Sequence, residues 1–217
     1  MGAKTVWISG ASGLVGGHAL DALLEDDRWA AVVSFGRRPL PREHSKLTQR
    51  EVDFSSLDAT GAPRPDAALC CLGTTIKKAG SQEAFRAVDH HAVVAFARAA
   101  KDAGSEVFAV VTAHGADAGS MVFYNRVKGE VEADLRALGF ASLAILRPSL
   151  LLGDRAESRP AERVMISLSR AAAPLLKPFA ARPVEARAVG RALVRVAAEP
   201  PPGARVYPND EIIRLGE

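Results

Sequence analysis

Thr5-Val6-Trp7-Ile8-Ser9, followed at once by Gly10-Ala11-Ser12-Gly13-Leu14-Val15-Gly16, is the stretch that decides the fold. The first five residues are mostly β-branched or aromatic, with no charge after Lys4, and read as a buried strand. Glycines end it, and Leu14, Leu20, Leu23 and Leu24 then mark the inner side of a helix that runs into Glu25-Asp26-Asp27. Strand, glycine turn and helix follow in the order a dinucleotide site requires. Gly10 takes the turn out of the strand, Gly13 lets the backbone approach a pyrophosphate, and Gly16 lets the helix pack on the sheet. The helix N-terminus offers its unbonded N–H groups and positive dipole end to phosphates. The spacing is GxxGxxG rather than GxGxxG, so the glycines alone also fit an ordinary strand-to-helix turn. Their flanking strand and helix favour nucleotide binding.

Working outward, Ala31-Val32-Val33-Ser34-Phe35 reads as a second strand ending in Gly36-Arg37-Arg38. About twenty residues past the glycine loop, such a fold places an acid on the adenosine ribose or an arginine on a 2′-phosphate. Two arginines stand here and no acid, so Arg37, seconded by Arg38, favours NADP(H) over NAD(H). Glu51-Val52-Asp53-Phe54 is expected as a short third strand, with Asp53 either reaching the adenine edge or only closing a turn. Ala67 to Leu72, fully apolar, is a fourth strand of the kind buried on both faces of a parallel sheet. The small residues after it, Gly73 and Thr74, suit close approach to the middle of a coenzyme.

Apolar residues at three- and four-residue steps (Phe85, Val88, Ala92, Phe96, Ala99 and Ala103) predict one long helix from Ser81 to Ala103, stopped by Gly104. Asp89, His90 and His91 lie in its middle. Adjacent histidines on a helix point about 100° apart, so no shared metal is expected and both read as surface or packed residues. Val107 to Val111 is a fifth strand, with Thr112-Ala113-His114-Gly115 at its C-terminal end, where ligands bind in open parallel sheets.

A second long helix, about Val122 to Leu138, starts with Tyr124 and Lys128 one turn apart on one face. A phenol has an ordinary pKa of about 10, and an ammonium beside it favours the phenolate. That pair can exchange a proton with a carbonyl oxygen near neutral pH, while Lys128 also reaches a nicotinamide ribose. The spacing alone also fits a packed tyrosine with a solvated lysine; its place, downstream of a glycine loop and after the fifth strand, favours chemistry.

Leu143 to Leu146 is a sixth strand leading to Arg147-Pro148-Ser149-Leu150. Beyond it lie a charged, turn-like Asp154–Pro160 stretch, a helix carrying Val164, Met165 and Leu168, and a proline-broken apolar segment, Leu175 to Phe179. A helix from about Val184 to Ala198 and a short terminal strand near Ile212 close the chain. The alternation predicts an α/β, doubly wound parallel sheet of Rossmann type, one domain over residues 1–217 with a small C-terminal substrate-side cap.

Composition bounds the function. The 217 residues carry a formal charge of +3 spread over the chain, with no basic block, so nucleic acid is not an expected partner. No apolar stretch approaches the roughly 20 residues of a membrane span, and the early first strand leaves no room for a secretory signal. The two cysteines, Cys70 and Cys71, are adjacent in an apolar run, without metal spacing. They read as buried thiols of a reducing compartment, giving the cytoplasm as the expected location. No feature specifies an oligomeric state.

GASGLVG after the first strand, CCLGTT at the fourth, and Tyr124 with Lys128 resemble the atypical short-chain dehydrogenase/reductases. CLGTT, Val127 to Ala133 (VKGEVEA) and Asp154 to Pro160 (DRAESRP) resemble, more narrowly, the Tat-interacting-protein-like oxidoreductases. The resemblance implies an NADPH-binding Rossmann domain. Gly10, Ser12, Gly13, Leu14 and Val15 would line the pyrophosphate, with Arg37 on the 2′-phosphate. Gly73 and Thr74 would follow the ribose, and Pro148 and Leu150 would flank the nicotinamide. These enzymes carry paired Ser/Thr at the end of the fifth strand; here the pair is Thr112-Ala113. Thr112 can replace the missing hydroxyl only if the strand end presents it to the pocket, with His114 a further donor nearby. Losing one such donor costs on the order of 10²–10³ in rate.

The expected activity is hydride transfer to a small or medium carbonyl compound, with Tyr124, Lys128 and Thr112 as catalytic residues. The alternative is an NADPH-holding regulator that binds a protein partner through Glu157 to Arg159 or the Leu175–Phe179 segment. A nucleotide-sugar epimerase is disfavoured by the short portion after the sixth strand.

Overall fold

Parallel strands carry the structure. The computed structural model describes residues 4–153 and 182–217. Its strands are β1 (Lys4–Ser9), β2 (Trp29–Gly36), β3 (Leu47–Glu51), β4 (Ala67–Cys70), β5 (Val107–Val111), β6 (Ser142–Arg147), β7 (Leu151–Leu152), β8 (Val184–Glu185) and β9 (Gly203–Pro208). Seven of them form one sheet in the order β3-β2-β1-β4-β5-β6-β9, all pairs parallel, while β7 and β8 form a small separate pair. The chain therefore runs outward from β1 to β3, returns, and continues from β4 in the other direction. The crevice that binds ligands in such sheets opens where that order reverses, between the C-terminal ends of β1 and β4.

Helices cover both faces. Alternation along β1 sends Val6 and Ile8 to one side and Trp7 to the other. On the first side they meet Leu20 and Leu23 of α1 (Leu14–Glu25) and Val189 and Leu193 of the helix Ala186–Ala198. On the second, Trp7, Phe35, Phe96 and Phe108 stack in succession, with ring centroids 4.7, 5.6 and 6.1 Å apart. Two glycines make the first turn possible. Gly10 has φ +78°, and a Cβ there would stand 2.5 Å from the Cys71 carbonyl. A Cβ on Gly16 would stand 2.1 Å from the Gly10 carbonyl oxygen, so only glycine lets α1 start that close to the strand end.

Three elements depart from the sequence reading. The third strand is Leu47–Glu51, not 51–54: an edge strand of mostly polar residues has no hydrophobic run to mark it. The helix expected over 81–103 follows a separate short helix, α2 (Ile76–Ala79), and spans 82–102 with an interruption: α3 (Gln82–Arg86), a π turn (Ala87–His91) and α4 (Ala92–Asp102). The π turn shifts the buried stripe by one residue, so Asp89, Val93, Ala97 and Ala100 are buried where Val88, Ala99 and Ala103 are only partly so. After α5 (Phe123–Ala137) and α6 (Ala186–Ala198), the terminal strand is Gly203–Pro208 at the sheet edge, and Ile212 belongs to α7 (Asn209–Gly216). There Ile212 is buried as one side of an amphipathic helix. The expected cap, with Val164, Met165, Leu168 and the 154–160 and 175–179 stretches, lies outside the described residues.

Candidate functional site

The crevice begins at the N-terminus of α1. Its cap residue, Gly13, has no side chain to bond the first-turn amides, and its own N–H is used in the turn, donating to the Gly10 carbonyl at 2.9 Å. Among the described residues, the amides of Ser12, Leu14 and Val15 have no acceptor, and Ser12 and Gly13 are exposed. A twelve-residue helix ending in unbonded amides beside an open glycine turn is the cradle a pyrophosphate fits. Leu14 packs toward Gly153, where a Cβ would meet its methyls at 3.1 and 3.3 Å, so Gly153, just after β7, borders the same opening.

On the β2 side, Phe35 is the register partner of Ser9, so Gly36 and Arg37 leave the sheet beside Gly10. Arg37 and Arg38 are exposed, and no carboxylate among the described residues pairs with either. Asp53 is different. It caps the 3-10 turn Phe54–Ser56, accepting from the Ser55 amide at 2.9 Å and the Ser55 hydroxyl at 2.8 Å. Those bonds lower its carboxyl pKa. Of its two expected roles the structure shows the turn, and it leaves the carboxylate exposed.

On the β4 side, Gly73 and Thr74 follow the strand. Beneath them lies a buried ion pair, Lys128 Nζ to Asp89 Oδ1 at 2.8 Å, with side chains 5% and 1% exposed. The second carboxylate oxygen of Asp89 accepts the Thr74 amide at 2.8 Å. A Cβ on Gly73 would lie 3.4 Å from that carboxylate and 3.8 Å from the ammonium, so glycine leaves the pair reachable from the crevice. Burial works against the Lys128 ammonium, but the charge of Asp89 and the neighbouring Tyr124 outweigh it and raise its pKa, so the lysine stays charged. Tyr124 opens α5 one turn before Lys128, half-buried, its ring 5.5 Å from that of Phe85.

The end of β5 holds a correction. Thr112 is 6% exposed, and its hydroxyl donates to Glu132 Oε1 at 2.8 Å, with the Leu146 carbonyl 3.3 Å away. It is not presented to the crevice, so the condition for Thr112 to stand in for the missing hydroxyl is not met. Ala113 beside it offers only a methyl group. Glu132 is itself 1% exposed and is held by Arg147 through two bonds of 3.0 and 2.6 Å. Pro148 is buried at the β6 end, its carbonyl accepting the His114 amide at 2.8 Å, and Leu150 is 49% exposed.

The structure thus brings together the glycine turn, Gly73, Thr74 and Lys128, with Tyr124 a turn away. Asp89, Glu132 and Arg147 were not foreseen as site residues. Each carboxylate left a signal: Asp89 lies four residues after Phe85, and Glu132 between Val131 and Leu135, charges on otherwise apolar stripes.

No protein-family model matches the chain. It is 39% identical over 165 residues to Protein fmp52, mitochondrial, of Aspergillus clavatus, covering 72% of this chain and 70% of that protein. It is 42% identical over 164 residues to Protein HTATIP2 of Rattus norvegicus, covering 73% and 67%. A match to Protein FMP52, mitochondrial, of Coccidioides immitis is 32% identical across 98% of this chain and 96% of that protein. Among solved structures, MoeE5 in complex with UDP-glucose and NAD superposes with a TM-score of 0.71 at 19% identity, covering 98% and 80% of the two chains. The Bordetella bronchiseptica enzyme WbmH in complex with NAD+ gives 0.71 at 20%, covering 95% and 76%. At those identities the likeness shows the fold. The curated relatives also overturn the cytoplasmic expectation, since the fungal ones are named as mitochondrial. Free thiols, Cys70 buried and Cys71 partly so, indicate reducing surroundings and do not distinguish one such compartment from another.

Proposed function

Because this chain belongs to the family of atypical short-chain dehydrogenase/reductases that includes Protein HTATIP2 and the fmp52 proteins, we propose that it is an NADPH-dependent oxidoreductase reducing a small or medium carbonyl compound. The observation that carries this reading is the charged, buried Lys128 one helical turn from Tyr124 and behind Gly73. When bound, the coenzyme supplies a hydride. The chain's own residues do the rest. The amides of Ser12, Leu14 and Val15 hold the pyrophosphate, and Arg37, with Arg38, holds the 2′-phosphate. Gly73 and Thr74 border the ribose, with Pro148 and Leu150 on the nicotinamide side. Tyr124 gives its phenolic proton to the carbonyl oxygen as the hydride arrives, and the Lys128 ammonium stabilises the phenolate that remains.

Fluorescence titration with NADPH and NADH tests the coenzyme half. A charge-assisted hydrogen bond to the extra phosphate is worth about 1.5–3 kcal/mol, so Arg37→Ala should erase a preference of roughly tenfold or more. Equal affinity for both coenzymes in the wild type would refute it. A panel of carbonyl compounds tests the chemistry, and turnover unchanged in Tyr124→Phe would remove that residue from the mechanism.

One observation favours a second reading, an NADPH-binding regulator with little turnover that acts through a protein partner. The Thr112 hydroxyl is committed to Glu132 and position 113 has none, so the crevice lacks a strand-end hydroxyl to orient a carbonyl. Tight coenzyme binding with no turnover of any panel compound would select it.

A further inference from the structure

Asn209 is fully buried at the first position of α7. An asparagine at a helix start ordinarily bonds the first-turn amides. Here Pro208 is the cap, and both hydrogen bonds of the Asn209 side-chain amide leave the helix. Its Oδ1 accepts the Ser149 amide at 2.9 Å, and its Nδ2 donates to the Arg182 carbonyl at 2.7 Å. The Ser149 hydroxyl donates to that same carbonyl. Sheet register explains how residues 60 positions apart meet. Arg147 of β6 pairs with Pro208 of β9, so Pro148 and Asn209 leave the sheet side by side at the end where the crevice opens. We propose that Asn209 is a positioning residue for the nicotinamide half of the crevice. Its one amide fixes the Pro148–Leu150 turn and ties it to the backbone at Arg182. The inference rests on the reading that Pro148 and Leu150 flank a bound nicotinamide.

The two partners explain why the residue is an asparagine. The Ser149 N–H needs an acceptor and the Arg182 carbonyl a donor, and a primary amide presents one of each. Aspartate offers only acceptors, leucine of similar shape offers neither, and a buried polar group left unpaired is costly. The turn has two further anchors. The Pro148 carbonyl accepts the His114 amide at 2.8 Å, and the Leu150 carbonyl accepts the Val184 amide at 2.9 Å. Between them, among the described residues, Asn209 is the acceptor of the Ser149 amide. Leu150 is exposed, so its place at the crevice follows from the backbone that carries it. None of these hydrogen bonds involves the glycine turn, Arg37 or Arg38, which follow β1 and β2, away from β6 and β9 in the strand order. Loss of Asn209 should therefore be felt by one half of the coenzyme and not the other.

Dividing the coenzyme tests this. The fragment 2′-phospho-ADP-ribose keeps the pyrophosphate and the 2′-phosphate of NADPH and lacks the nicotinamide, so calorimetric titration with each ligand reads the halves separately. In Asn209→Ala the affinity for NADPH should fall about fivefold, the equivalent of one hydrogen bond. Affinity for the fragment should stay within about twofold of wild type, the range of a change at a site it does not touch. A purely structural role would weaken both ligands together or neither. Asn209→Asp, of the same size, is the second variant should Asn209→Ala fail to fold. It sets a carboxylate oxygen against the Arg182 carbonyl, breaks the tie from that side, and should give the same split. Loss of the fragment as large as the loss of NADPH, or no loss of either, overturns the inference while leaving the coenzyme reading in place. A wild type that binds neither NADPH nor the fragment refutes the coenzyme reading itself, and the inference falls with it.

Discussion

Truncating Glu132 should be among the most damaging single changes in the chain, and its cost follows from the contacts. The carboxylate is 1% exposed and joins three elements: the Thr112 hydroxyl at the end of β5, Arg147 at the end of β6, and α5 itself. Arg136, one turn on, adds a longer contact of 3.5 Å. Glu132→Ala leaves the Arg147 guanidinium without its carboxylate and the Thr112 hydroxyl with only the longer Leu146 carbonyl contact at 3.3 Å. Breaking a buried ion pair typically costs about 3–5 kcal/mol. The Arg147 side chain is 29% exposed, so water recovers part of its solvation, and about 2–3 kcal/mol is the better figure. The lost Thr112 hydrogen bond adds about 1 kcal/mol. A total of about 3–4 kcal/mol corresponds to a melting point lower by roughly 6–16 °C for a domain of this size. Thermal and urea unfolding followed by circular dichroism measure it, and Glu132→Gln, which keeps the oxygen and loses the charge, should fall between. A loss under about 0.5 kcal/mol in Glu132→Ala, the range of an ordinary surface change, would refute the reasoning.

Other expected outcomes are quickly stated. Ala113→Ser restores a hydroxyl beside the crevice and should raise turnover by up to about 10²-fold with NADPH affinity unchanged; steady-state kinetics with no gain would show that a missing strand-end donor is not what limits the site. His90 is governed mainly by burial, which lowers its pKa, with Asp134 at 3.1 Å opposing. The folded state therefore binds fewer protons than the unfolded one, and the stability this histidine contributes is lost as pH falls from about 6.5 through the folded value. His90→Gln should consequently lose less melting temperature than wild type on acidification across that window.

The glycine-turn side of the crevice was legible because its determinants are local. The strand Thr5 to Ser9, the turn at Gly10 and the apolar side of α1 sit within twenty residues, and both the glycine geometry and the helix end are backbone properties. The parallel, doubly wound order likewise followed from strands alternating with helices. Legibility failed where burial is not continuous. β3 and β9 are sheet edges with exposed side chains, so neither shows an apolar run, and Ile212-Ile213 suggests a strand although both belong to a short helix. The π turn failed for another reason: one extra residue in a helical turn rotates the face that follows, so Val93, Ala97 and Ala100 join the expected Ala92 and Phe96 in the core, and no residue type signals it.

The Tyr124–Lys128 side shows the limit of motif reading more sharply. Tyr124 and Lys128 are four residues apart and visible as a pair, but the buried ion partner of the lysine is Asp89, 39 positions away from it on another element. Likewise Thr112 reads as a candidate donor until Glu132, twenty residues on, is seen to hold its hydroxyl. Both cases share one physical cause. A buried polar group must find a partner, so its availability for chemistry depends on which partner the fold supplies, and that partner is set by tertiary packing. On the proposed function, coenzyme affinity and turnover are separable, and Ala113→Ser should move the second far more than the first.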